Sequence, residues 1–158
     1  MKVYLVQHAK AQFKGVDPER SLSEEGRSEL KRMVSFIKRH KPVDAEIIIH
    51  SGKLRARQTA EILQEAIRAE GGIKKGDDLN PESDPRKWAT SLRKAESSIM
   101  LVGHQPFMER LAAFLLTGDD HGQPVAVHNG GIICLERLES GFWCMDWLIY
   151  PEILTPEK

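Results

Sequence analysis

Three segments of this sequence carry residues suited to handling an anion, and each one follows a short apolar run. Val6 leads into Gln7-His8-Ala9-Lys10, Ile49 into His50-Ser51-Gly52-Lys53-Leu54-Arg55, and Val102 into Gly103-His104-Gln105-Pro106. A neutral imidazole can attack phosphorus, and fixed cations can hold the equatorial oxygens as charge develops on them. His8, His104 and Arg55 together therefore suit phosphoryl transfer through a covalent phosphohistidine. Ser51 reads as a helix N-cap and Pro106 as a first helical residue. Helix starts of this kind turn free N–H groups and partial positive charge toward a phosphate. The sequence has no His-Glu-x-x-His and no Cys-x-x-Cys. An arginine beside two histidines also repels a cation, so neither a metal nor another cofactor is expected.

For these side chains to meet, the strands must end on one side of a sheet. Lys2 to Val6, Glu46 to His50 and Ser98 to Gly103 are continuous apolar runs of strand length, the pattern of strands buried on both faces. Between them, Leu30, Met33, Val34 and Ile37 repeat at helical spacing, as do Ile62, Leu63, Ala66 and Ile67, and then Phe107, Leu111, Phe114 and Leu115. Strands alternating with amphipathic helices predict a three-layer α/β/α sandwich with a mostly parallel sheet. In such sheets ligands bind beyond the carboxyl ends of the strands, which gathers the three polar segments into one crevice. Two later runs, 130–135 and 142–147, flank Glu139-Ser140-Gly141 and predict a closing hairpin. Gly71-Gly72 and Gly76 to Pro85 read as loops.

Composition narrows the function classes. The 158 residues hold 23 Lys+Arg against 23 Asp+Glu, so the chain reads as one domain over 1–158 without the basic excess of a nucleic-acid binder. Neutrality conceals a division: residues 1–58 hold 13 basic and 7 acidic side chains, a net of +6, and residues 59–158 hold 10 and 16, a net of −6. The prospective phosphate ligands lie in the positive half. Cys134 and Cys144 are the only cysteines; they read as free thiols, neighbours if the hairpin forms, in a reducing cytoplasm. No signal segment or membrane span is read at the sequence level.

The His8-Ala9 pair, Ser51-x3-Arg55-Ala56-x-Gln58-Thr59-Ala60 and Val102-Gly103-His104-Gln105-Pro106, in this order, resemble the histidine phosphatase superfamily. The small size, the Arg20-Ser21-Leu22-Ser23-Glu24-Glu25-Gly26-Arg27 stretch and Leu79-Asn80-Pro81 resemble its SixA-type phosphohistidine phosphatase branch, from Val3 to about Leu154. The resemblance implies a phosphoglycerate mutase-like fold and a reaction without metal. It implies His8 as the nucleophile, Arg55 as the phosphate clamp and His104 as the second pocket histidine. It places Arg20 and His128 near the site entrance. One departure stands out: the family's arginine before the nucleophile is Gln7 here. Gln offers neutral N–H donors where a guanidinium offers a charged fork.

Gln7, Lys10, Arg20, Ser51, Gln105 and His128 are accordingly the candidate substrate contacts, with Lys10 a possible replacement for the missing charge. Asp17, Glu82 and Asp84 are the loop carboxylates available as a general acid, although Asp84 before Pro85 also suits helix capping. Arg57 lies about 200° around a helix from Arg55 and reads as solvated. His50 belongs to its strand, His40 to an exposed helix end, and Arg27 and His121 to the surface. The expected substrate is a phosphohistidine-bearing protein of a phosphorelay or phosphotransferase system, with phosphate as product and neither nucleic acid nor membrane as partner. The alternatives are a phosphatase of a small phosphomonoester and a catalytically weakened homologue that binds phosphate or a phosphoprotein.

Overall fold

The computed structural model describes residues 1–154. In chain order the elements are β1 (Lys2–Gln7), α1 (Glu24–His40), β2 (Ile47–His50), α2 (Leu54–Leu63), β3 (Ile73–Lys75), α3 (Pro85–Lys94), β4 (Ile99–Gly103), α4 (Phe107–Thr117), β5 (Ile132–Arg137) and β6 (Trp143–Ile149). They form one six-stranded sheet in the order β3-β2-β4-β1-β5-β6. The first four strands along this order are parallel, and β5 runs antiparallel to both β1 and β6.

Alternation along the central strands sorts the core into two layers. Val3, Leu5, Leu101, Ile133 and Leu135 face Leu92 of α3 and Phe107 and Leu111 of α4. Tyr4, Val6, Ile48, Met100 and Val102 face Leu30, Met33 and Ile37 of α1 and Ala60 and Leu63 of α2. This is the three-layer sandwich the periodicity predicts. Each fully buried aliphatic side chain contributes about 1.5–3 kcal/mol of transfer free energy, so both faces of β1 and β4 hold the sheet between the helix pairs.

Local structure departs from the sequence reading in three places. The stripe from Ile62 to Ile67 straddles a helix end: α2 stops at Leu63 and tightens into a 3-10 turn over Gln64–Ala66, so its buried face is Ala56, Thr59, Ala60 and Leu63. Between two predicted loops, Ile73–Lys75 pairs with β2 as an edge strand too short for periodicity to reveal. The hairpin forms, but an irregularity after Cys134 pairs Cys134 with Trp147 and Cys144 with Glu136, so the thiols are not neighbours across the ladder. Both are free, Cys134 buried and Cys144 half-buried.

Helix α1 begins as its sequence dictates. Ser23 caps it, its side chain accepting from the Gly26 N–H at 3.0 Å, Glu24 and Glu25 fill the first turn, and Lys38, Arg39 and His40 the last. Gly26 packs directly on the Lys10 backbone, and an added Cβ would fall on the Lys10 carbonyl. Backbone cannot yield as a flexible side chain does. Gly26→Ala is therefore expected to destabilise the protein by about 1–2 kcal/mol, overpacking outweighing the gain of about 1 kcal/mol from removing a helical glycine. Chemical denaturation checks this; an unchanged or raised midpoint would refute the tight contact.

Candidate functional site

The parallel strands β1, β2 and β4 end on the same side of the sheet, which brings His8, Ser51 and His104 together. Backbone hydrogen bonds join the three exits: His8 N–H donates to the Gly103 carbonyl at 3.0 Å and Ser51 N–H to the Val102 carbonyl at 3.2 Å. The His8 carbonyl accepts from Asn129 Nδ2 at 2.9 Å. One residue on, the Ala9 N–H donates to Thr59 Oγ1 of α2 at 3.1 Å. His8 is thus held from the neighbouring strand exit, from α2 and from the segment before β5.

The His8 ring is oriented as well. His8 is 7% exposed, and its Nδ1 lies 2.7 Å from the Ala9 carbonyl. A carbonyl only accepts, so Nδ1 carries the proton and Nε2 presents its lone pair. That lone pair accepts from Arg55 Nε at 3.2 Å. His104 is 2% exposed, its ring centroid is 5.0 Å from that of His8, and its Nε2 lies 2.6 Å from Ser51 Oγ. Its Nδ1 is buried with no hydrogen-bond partner among the described residues. Burial pushes His8 from 6.5 down to about 4, the Ala9 carbonyl opposing and the charges of Arg55, Arg20 and Lys53 reinforcing the shift. For His104, burial, then His8, Arg55, Lys53 and Arg20, lower the value to about 3.

Both imidazoles are therefore neutral at neutral pH, as a nitrogen nucleophile requires. In a 13C-resolved NMR titration from pH 8 to 5, the His8 and His104 ring signals are expected to keep their neutral-form positions. His121, raised by its hydrogen bond to Asp119 and by Asp120, should titrate above 6.5. A midpoint near 6.5 for His8 would contradict the buried, cation-flanked setting. Because both depressed values lie below the unfolded 6.5, the unfolded chain binds protons first, and stability should fall as pH drops from about 6.5 toward 4.

The other sequence candidates are distributed unevenly around this cluster. Gln7 is 7% exposed, and its Oε1 is buried with no hydrogen-bond partner among the described residues. Gln105 follows His104 and likewise has a buried, unpartnered Oε1. Arg20 donates to the Gln12 carbonyl at 3.1 Å, and its charge reaches His8, His104 and Arg55. His128 stacks on Tyr150 at 3.8 Å between centroids, one residue before the Asn129 that anchors His8.

Lys10 does not replace the missing charge. Its ammonium is bound to Glu25 at 2.6 Å and to the buried Glu29 at 2.7 Å, hydrogen bonds that hold it well above the ordinary lysine value. Ser51 is not the N-cap of α2. Gly52, at φ 90°, turns the chain so that Lys53 takes the cap position without a side-chain bond, and Ser51 Oγ goes to His104 instead. Pro106 sits one residue before the predicted position, at the cap of α4.

Two of the three candidate acids are otherwise engaged. Asp84 caps α3 and pairs with Arg86 at 2.9 Å, and its hydrogen bonds to Arg86 keep it ionised. Asp17 accepts from Ser21 and Glu19, contacts that lower its pKa, so neither carboxyl holds a proton to donate at neutral pH. Glu82 is exposed. Arg57 is solvated and paired with Glu61, His50 accepts from the Gly52 N–H, and His40 is exposed at the end of α1, each as the sequence suggests.

Three contributors escaped the sequence reading. Lys53 lies in the strand exit two residues before Arg55, is exposed, and has no carboxylate partner among the described residues, while its charge acts on both histidines. Thr59 falls inside the Gln58-Thr59-Ala60 motif but reads alone as a helix residue. Asn129 precedes two glycines, a signal for a turn rather than for an anchor of His8.

No protein-family model matches the chain, and no curated protein does. Solved structures do. The protein histidine phosphatase SixA complexed with tungstate is 24% identical, with a TM-score of 0.84 over 98% of this chain and 100% of that one. A protein provisionally assigned as the phosphohistidine phosphatase SixA of Agrobacterium tumefaciens is 26% identical, with a TM-score of 0.75 over 95% of this chain and 97% of that one. The alpha-ribazole phosphatase of Shigella flexneri is 13% identical, with a TM-score of 0.76 over 96% of this chain and 97% of that one. The chain thus has the phosphoglycerate mutase-like fold shared by SixA phosphohistidine phosphatases and other proteins of the histidine phosphatase superfamily.

Proposed function

We propose that this chain is a phosphatase that hydrolyses phosphohistidine through a covalent intermediate on His8, without a metal. One observation carries the reading: a buried, neutral imidazole whose Nε2 lone pair faces Arg55, with the second histidine 5.0 Å away by ring centroids. Arg55 leaves Nε2 to take a phosphoryl oxygen, and Nε2 attacks phosphorus as the bond to the leaving nitrogen breaks. His104, with Ser51 donating to its Nε2, carries its proton on Nδ1 as a further donor to the phosphoryl group. Water then attacks phospho-His8, releasing phosphate and regenerating the imidazole. An imidazole leaving group that takes up a proton from water needs little help from a general acid, which fits a chain in which Asp17 and Asp84, two of the three candidate acids, are ionised. The resemblance to a SixA structure holding tungstate, a tetrahedral oxyanion, supports a phosphoryl ligand here.

The expected substrate is a phosphohistidine protein of a phosphorelay or phosphotransferase system, and two free thiols suit a reducing cytoplasm. Rapid acid-free quenching followed by mapping of acid-labile phosphate tests the core claim. Label on His8 is expected; label elsewhere, or none with active enzyme, would overturn it. Gln7 favours a second reading, a weakened homologue that retains phosphate or phosphoprotein binding. Gln7→Arg separates the two.

A further inference from the structure

The loop between β1 and α1 exposes two apolar side chains. Phe13 is 79% exposed and Val16 71%, while Asp17 and Arg20 hydrogen-bond back to the loop itself. Asp17 accepts from the backbone N–H groups of Glu19 and Ser21, the Val16 and Asp17 N–H groups donate to the Phe13 carbonyl, and Arg20 reaches back to the Gln12 carbonyl. The apolar pair is therefore held outward by an ordered turn, with little chain entropy left to lose on binding. Two apolar side chains three residues apart, both exposed on one ordered turn, offer surface that a partner can cover.

Their position points to the partner. The loop is closed by a bridge between Ala11, three residues after His8, and Leu22, whose N–H donates to Gln58 Oε1 of α2 at 2.8 Å, three residues after Arg55. It thus stands on the same two elements that supply the nucleophile and the clamp. The exposed Leu138 and Phe142, by contrast, lie at the turn after β5, which runs antiparallel to β1 and so ends at the opposite end of the strands. The loop carries Lys14 and Arg20, and Lys53 follows β2 with its charge acting on His8; none of the three has a carboxylate partner among the described residues, and all lie in the half of the chain that is net +6. Glu19 is the one acidic group of the loop turned to solvent beside them.

We propose that Phe13 and Val16 form a docking element that selects a protein substrate, seating on an apolar patch beside the phosphohistidine of a partner with an acidic surround. The proposal rests on the phosphatase reading for its phosphoryl group. A small phosphomonoester has no apolar patch to seat on the pair, so the element separates protein substrates from small ones.

The test is the Phe13→Ser/Val16→Ser variant, whose solvent-facing changes should leave the thermal midpoint unchanged. Three substrates are compared: free phosphohistidine, a histidine-phosphotransfer domain and a phosphotransferase carrier protein, each protein phosphorylated on its histidine. On the better protein substrate, kcat/KM is expected to fall roughly 10- to 100-fold, mainly through KM, and to stay within about two-fold on free phosphohistidine. Equal losses on all substrates, or none on either protein, would overturn the proposal. In the His8→Ala background, calorimetric affinity for the same phosphoproteins should show the same loop dependence. Loop-dependent binding without wild-type turnover would uphold docking and sink the hydrolysis reading; turnover with loop-indifferent binding would do the reverse. Loss of vesicle binding or of concentration-dependent dimers as the variant's only effect would assign the loop to a membrane or a second copy and overturn the proposal.

Discussion

His8→Ala is expected to lower phosphate release from any substrate by at least about 10³-fold and to abolish the acid-labile phosphoenzyme. The geometry leaves no substitute for this nitrogen. His104 is 2% exposed with its Nε2 occupied by Ser51, and His50 accepts from the Gly52 N–H within its turn. Arg55 remains in the variant and loses only its contact with Nε2, so phosphate or tungstate affinity should change by no more than a few-fold. Steady-state kinetics, phosphoenzyme trapping and anion titration measure the three quantities. Substantial residual turnover with intact anion binding would show water attacking directly, and His8 would then be a ligand-holding group rather than the nucleophile.

Gln7→Arg is expected to raise kcat by about 10- to 10³-fold, the range set by gain or loss of one preorganised donor at a developing oxyanion. Gln7 is the last residue of β1, paired with Gly103, and its buried Oε1 has no partner among the described residues. An arginine there would add a charge-assisted fork one residue from His8. It would also bury a cation in place of a neutral amide, so the unliganded variant should melt below wild type. Saturating phosphate or tungstate should restore the difference, because the anion binds only the folded state. Unchanged turnover would mean that Lys53 already supplies the missing charge, and Lys53→Ala should then cost far more in wild type than in the Gln7→Arg background. Lys10 cannot take this part, since Glu25 and Glu29 hold its ammonium.

What the sequence by itself determined are the features with a period or a place along the chain. β1, β2 and β4 are legible because strands buried on both faces must be apolar without interruption, and α1 because its stripe and its Ser23 cap both mark it. Once those strands are parallel, the segments that carry His8, Arg55 and His104 leave the sheet at the same end of the strands. The tertiary structure decided the pairings between residues far apart in sequence. Lys10 lies 19 residues from Glu29, and only the packing of α1 against the loop through Gly26 aims one at the other. Ser51 lies 53 residues from His104, and a single glycine at φ 90° turns it from a cap into that histidine's partner. Asn129 lies 121 residues from the His8 carbonyl it holds. Such contacts carry no local signature, because a hydrogen bond depends on distance in space, and the chain's spacing sets that distance only within an element.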